Sequence, residues 1–176
     1  MNQQSPWSAF EQSAPQLATH GRGLIERFGF VLLGTIRGDG TPRISPVEVH
    51  LVNGHLMLAM IPHTHKARDV QRDPRIVLQT PVTHAGDPGD ELKLRGRAVE
   101  VDTEQREATA DAIQASSGWR PESSWLFLSV VVEDAAYLGW EKGEMLLLRW
   151  DHERGLRRPE RRRLDVPAGR YKPVEA

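Results

Sequence analysis

The sequence contains no cysteine in its 176 residues. That excludes disulfides, thiolate nucleophiles and thiolate-held zinc or iron–sulfur centres, and it is compatible with a reducing compartment. No apolar run approaches the roughly 20 residues that a membrane-spanning helix needs. The opening MNQQSPWSAFEQSAP has neither the basic nor the apolar segment of a secretory leader, so a soluble cytoplasmic domain is expected. An excess of one charge is missing too. Lys and Arg number 23 against 24 Asp and Glu, a formal net charge of −1, which argues against a dedicated nucleic-acid binder. Gly34, Gly38 and Gly40 do not spell G-x-G-x-x-G, and G-x-x-x-x-G-K-[ST] does not occur. Alternating strand–helix units are absent as well, so a doubly wound nucleotide-binding sheet is not expected.

What is present reads as one domain. Residues 1–12 are expected to be a loose arm. An amphipathic helix follows from Ser13, its stripe formed by Leu17, Gly21, Leu24, Ile25 and Phe28, with Ser13 as N-cap and Gly29 as stop. Residues 30–37 read as a buried strand, Gly38-Asp39-Gly40 as a turn and residues 42–52 as the return strand. Asn53-Gly54 is a second hairpin signal before residues 55–60. Strands are also expected over residues 74–80 and 91–101, the latter bulged at Gly96. A helix over residues 103–117 would be capped by Thr103, with Ala108, Ala112, Ile113 and Ala115 inward. Residues 125–132, bending near Glu133-Asp134 into residues 135–140, and residues 144–150 complete the strands. Residues 152–176 form a basic tail, with six Arg between Arg154 and Arg163. The fold class is therefore mainly β, a six-stranded antiparallel barrel with flanking helices, its domain spanning residues 13–151.

One stretch, AMIPHTHKARDVQRDPRIV over residues 59–77, concentrates chemistry. Thr64 can cap a short helix whose first turn carries His65, Lys66 and Arg68. Unpaired N–H groups and a partial positive charge already mark a helix start. Lys66 makes it a seat for a phosphate. A solvated basic turn is the plainer reading, and the residues alone leave both open.

The order of these pieces, with GTIRGDGTPRISPV, the NG hairpin, HTHKARDVQRDPRIVL and ELKLRGRAVEV, resembles the pyridoxamine 5′-phosphate oxidase-like, FMN-binding split-barrel family across residues 13–150. The resemblance implies a split barrel that binds FMN at the interface of a homodimer. It implies that Arg43 and Lys66 hold the flavin phosphate, and that His65 stands where family oxidases carry a second phosphate-binding arginine. Ile44, Ser45, Pro46 and Val47 would pass along the flavin ring, as would Ala59, Met60 and Ile61. Trp140 and Arg149 match residues sent to the flavin from the other subunit. A flavin-dependent oxidoreductase follows, moving hydride to or from an unknown small molecule, with NADPH or NADH as reductant. A deazaflavin coenzyme is the alternative cofactor, and a non-catalytic flavin- or haem-binding barrel the alternative function.

The departures narrow the expectation. Glu48 stands where the oxidases carry a substrate-phosphate lysine. Residues 141–148, EKGEMLLL, lack the Arg-x-His pair that serves the same substrate, so oxidation of pyridoxamine phosphate is not expected. Arg120-Pro121 echoes a family arginine–proline, without the upstream tyrosine. His63 and His65, with His84, lack the carboxylate or cysteine spacing of a zinc site, and no metal is expected. No catalytic side chain is identified: Ser45 has no evident activating histidine, and Glu48 and Glu91 read equally as surface carboxylates. Trp125 and Trp150 read as packing residues.

Overall fold

The structure, a computed structural model, describes residues 6–82 and 89–163. Strands β1 (Phe30–Ile36), β2 (Pro42–Val52) and β3 (His55–Met60) form an antiparallel meander. Asn53 and Gly54 both take positive φ, 51° and 74°, as a two-residue hairpin turn of the primed kind requires. Helix α3 (His65–Arg72) leads to β4 (Arg75–Gln79), which pairs with β1 on its other edge. β5 (Glu91–Glu100) pairs with β4 and with β6 (Leu126–Glu141). Four residue pairs between β3 and β6, from Met57↔Ser129 to Met60↔Leu126, close the ring. The closed order is β3-β2-β1-β4-β5-β6.

The split lies in β6. Its first four residues pair with β3, while Asp134 to Glu141 have left β3 and pair with β7 (Glu144–Asp151). The bulge between Arg95 and Gly96 lies opposite the point where β6 changes partner. A Cβ at residue 96 would run into the Val131 carbonyl, so only glycine allows the strands to approach this closely. β6 is one continuous strand of 16 residues, as expected, and its register with β5 shifts at Glu133, where the bend was read.

Alternation at period 2 sends Val31, Leu33, Val47, Val49, Leu56, Leu58, Leu78 and Leu94 into the barrel core. A second apolar cluster lies outside the barrel wall, where Met57, Ala59 and Phe127 meet Ala110 and Ile113 of α4 (Arg106–Ser117). The inner face of α4 is thus Ala110 and Ile113 with the half-buried Ala112 beside them, while Ala108 and Ala115 are exposed. Thr103 does not cap it: Thr103–Gln105 is a 3-10 turn, and no side chain caps the helix.

The N-terminal expectation needs correction. Residues 6–12 are not a loose arm, because Pro6–Ser13 is helix α1, with Trp7 and Phe10 in the main core. Burying two aromatic side chains is worth about 1.5–3 kcal/mol each, enough to fix a two-turn helix that would not persist alone. Phe10 meets Trp150 edge to face at 5.1 Å. Ser13 ends α1, its hydroxyl donating to the Phe10 carbonyl, and does not cap α2 (Pro15–Phe28), which starts at a proline. Gly29 does stop α2, at φ 68°. The basic tail is partly ordered: β8 (Gly155–Leu156) and β9 (Glu160–Arg162) pair with β7, and Arg157 and Arg161 bond Asp151 and Glu141 at 2.8 and 2.7 Å. The loop expected over residues 84–90 lies mostly outside the described residues. No helix among the described residues is long and apolar enough to cross a membrane.

Candidate functional site

The outer face of β2 and β3, beside the start of α3, carries a cavity of about 520 Å³. Pro46 and Glu48 reach it because they are the even, outward positions of β2; Ala59 and Ile61 do so from β3 and its end. Lys66 and Thr64 close one side, and Trp119 and Trp125, at 5.4 Å from each other, form the opposite wall. Neither tryptophan is indicated by local pattern. Both reach the cavity only because α4 packs back over β3, a long-range fact.

Lys66 is placed by its helix. The Thr64 hydroxyl caps α3 by accepting from the Ala67 N–H at 3.4 Å. The Lys66 ammonium donates to the Pro46 carbonyl at 2.8 Å, which leaves two of its three donors for a ligand. Burial pushes its pKa down, and the negative charge of Glu48 partly offsets that. A bound anion would act in the same sense as Glu48, favouring the ammonium.

Arg43 is the inward residue of the same β2 stretch. Its Nε donates to Asp69 at 2.6 Å. Asp69 is buried, and it also accepts from the Thr35 hydroxyl at 3.1 Å and from Arg72 at 3.4 Å. Burial alone would raise the Asp69 pKa. The hydrogen bonds from Arg43 and Thr35 and the Arg43 charge outweigh it, and the net shift is downward. Sequence reading did not find Asp69, whose role depends on one helix turn facing β1 and β2. The guanidinium is thereby oriented through its Nε.

Of the residues singled out in the sequence, Pro46, Val47, Ala59, Met60, Ile61 and Lys66 line this cavity together. Arg43, Ser45 and His65 lie on the adjoining segments without lining it, and Ile44 is 73% exposed on the outer face of β2. Trp140 and Arg149 do not reach it within one chain. Trp140 sits near the β6–β7 turn, where its backbone N–H donates to Asp90, and Arg149 is paired with Glu160. Arg120 is also turned away, held by Glu107 and Asp111 at 2.6 and 2.9 Å. His63 and His65 are both exposed, and His84 lies outside the described residues. Trp125 is more than packing, since it forms part of the wall; Trp150 is buried in the core.

A family model described as pyridoxamine 5′-phosphate oxidase matches residues 17–140. Among curated proteins, none matches the chain. Solved structures do resemble it in fold. PhzG from Burkholderia lata 383, in complex with tetrahydrophenazine-1-carboxylic acid, superposes with a TM-score of 0.61 at 9% identity, covering 93% of this chain and 94% of its own. A heme binding protein from Mycobacterium smegmatis gives 0.59 at 19% identity, with 80% of this chain and 57% of the other covered. An F420 reductase gives 0.50 at 18% identity, with 65% and 94% covered. Identities this low speak to the fold alone. The match of the family model over most of the barrel is a statement about the sequence itself, and by it the chain belongs to the pyridoxamine 5′-phosphate oxidase family of split barrels.

Proposed function

We propose that the protein is a flavin-dependent oxidoreductase that binds FMN in the cavity beside α3 and works as a homodimer. The observation that carries this reading is the cavity itself. It joins an apolar bed formed by Pro46, Val47 and Ala59 to a cation with donors to spare, Lys66, at a capped helix start. Its volume of about 520 Å³ falls in the range of small-molecule sites. A phosphomonoester carries nearly two negative charges and takes several charged donors, which Lys66, the first N–H groups of α3 and the oriented Arg43 would supply. Bound flavin contributes hydride transfer; the protein contributes orientation and electrostatics. The tryptophan wall and the apolar bed would shield a bound ring from water.

The dimer rests on surface character. Ile44, Ile61, Val77 and Phe30 are exposed, at 73, 54, 45 and 39%, and they flank the cavity or share the outer face of β1, β2 and β4. A half-open site ringed by exposed apolar residues calls for a second wall. Trp140 and Arg149, which do not reach the site in their own chain, are the residues assigned to that wall.

The test is spectroscopic. Protein carrying flavin whose visible absorption is bleached by NADPH or NADH supports the oxidoreductase. Bleaching by reduced F420 and not by pyridine nucleotides would assign a deazaflavin-linked reaction. Flavin or haem that no reductant turns over would leave a binding protein.

A further inference from the structure

β5 pairs with β6 as far as Glu91↔Leu138 and no further, so β6 loses one neighbour just before Trp140. The Asp90 carboxylate takes the place of the missing strand. Its Oδ1 accepts from the Trp140 backbone N–H at 3.2 Å, and its Oδ2 from the Tyr137 hydroxyl at 2.6 Å. Burial, and after it the hydrogen bond to Asp90, push the Tyr137 pKa up, so the phenol keeps its proton and donates. Gly139 makes room for this clasp: a Cβ there would overlap the Tyr137 hydroxyl and crowd Asp90 Oδ1. His20 of α2 covers Tyr137, the two rings stacked 4.3 Å apart and 12° from parallel. Its Nε2 lies 3.9 Å from Glu141, which also bonds Arg161 at 2.7 Å. The backbone is thus held on both sides of Trp140.

The barrel does not need the clasp to close. The β6–β7 ladder ties the same strand end along its other edge, through Trp140↔Met145 and Glu141↔Glu144, and Asp90 is only half-buried. What Asp90 adds is lateral, pinning the Trp140 backbone to a core residue of its own strand. Strand alternation puts the Trp140 side chain on the face opposite Tyr137. There its indole makes no hydrogen bond or ring contact among the described residues. A flat side chain left unengaged on a pinned backbone is pre-organised to meet another molecule, because little further ordering is needed on binding.

We propose that Asp90 is a positioning residue for the flavin site of the partner subunit, fixing the end of β6 so that Trp140 is presented there in one place. This role rests on the flavin reading, which assigns Trp140 to that site; the clasp itself does not. A carboxylate is needed because two donors converge on it. Asparagine has the same shape but a single oxygen, and turns an NH2 towards one of the donors.

The test compares Asp90→Asn, Trp140→Phe and the double variant in the full chain, by FMN titration and by the visible circular dichroism of bound flavin. Asp90→Asn is expected to weaken FMN about tenfold, the scale of one charge-assisted hydrogen bond. Loss of a negative charge alone would strengthen binding of an anionic ligand, so weakening reports position. The dichroism should change in the same sense as in Trp140→Phe. In the Trp140→Phe background Asp90→Asn should alter neither readout, because the two residues act as one unit. Tyr137→Phe, which leaves the amide bond in place, should weaken FMN less. Without FMN, hydrogen exchange of the Trp140 amide should be about tenfold faster in Asp90→Asn than in the parent. Additive effects of the two substitutions, FMN binding and dichroism in Asp90→Asn equal to the parent's, or unchanged amide exchange would overturn the proposal and leave the flavin reading standing. A parent that takes up no FMN would defeat the flavin reading and, with it, this role of Asp90.

Discussion

Arg43 and Asp69 show how a site residue is held by a neighbour that the linear sequence does not single out. A buried carboxylate with three donors fixes the guanidinium, so Asp69 should act on both stability and binding. Asp69→Asn is expected to cost about 1.5–3 kcal/mol of stability at neutral pH, the worth of a charge-assisted hydrogen bond. The pH dependence has a definite sign. The folded-state pKa of Asp69 lies below the ordinary 3.8. Its contribution is complete above the unfolded value and is lost as pH falls through the lower, folded value. Denaturation curves at pH 7 and pH 3 should therefore show a smaller acid loss in Asp69→Asn than in the parent; equal losses would refute the assignment. At the ligand, Lys66→Ala and Arg43→Ala should each weaken FMN by about 1.5–3 kcal/mol, read by calorimetric titration. Unchanged affinity in both would remove the phosphate seat.

At the scale of elements, hairpin chemistry made much of the barrel readable. Residues 42–52 and 55–60 are strands as expected, because Asn53-Gly54 fixes the turn and Pro42 and Val52 mark the limits of alternation. The bulge at Gly96 was likewise legible, since a lone glycine in an alternating strand has few other uses. Gly96→Ala should test its necessity, with a loss of roughly 1–3 kcal/mol from overpacking against the Val131 carbonyl; a neutral effect in thermal melts would mean that the strands can separate there. What pattern could not show is anything decided by distant packing. Helix α1 looks polar in MNQQSPWSAFEQS, and only the core contacts of Trp7 and Phe10 explain its order. Trp7→Ala is accordingly expected to cost about 3–5 kcal/mol, measured by denaturant unfolding, whereas a freely solvated arm would show none. The wall formed by Trp119 and Trp125 was hidden for the same reason: it meets β3 only through folding, about 60 residues on in sequence.

At the scale of the molecule, the split in β6 has a functional consequence. By releasing β3 and taking β7, it carries Trp140 and Arg149 away from the cavity of their own chain. On the proposed function a monomer would hold half a site, and dimerisation and cofactor binding should rise and fall together. Sedimentation should show a dimer, and Ile44→Asp on the exposed face of β2 should yield monomers with weakened FMN binding. A monomeric parent that still holds flavin tightly would refute the shared site. The family-like order of pieces spoke for the barrel; the choice of cofactor would, in the proposed dimer, depend on side chains from two chains.

The proposed function stands on a flavin phosphate held by this barrel at Lys66. The most direct measurement is the mass of the small molecule released when freshly purified protein is denatured. The expected result is FMN, or uptake of FMN by protein purified empty. Release of haem, or an empty protein that takes up no FMN on titration, would contradict it.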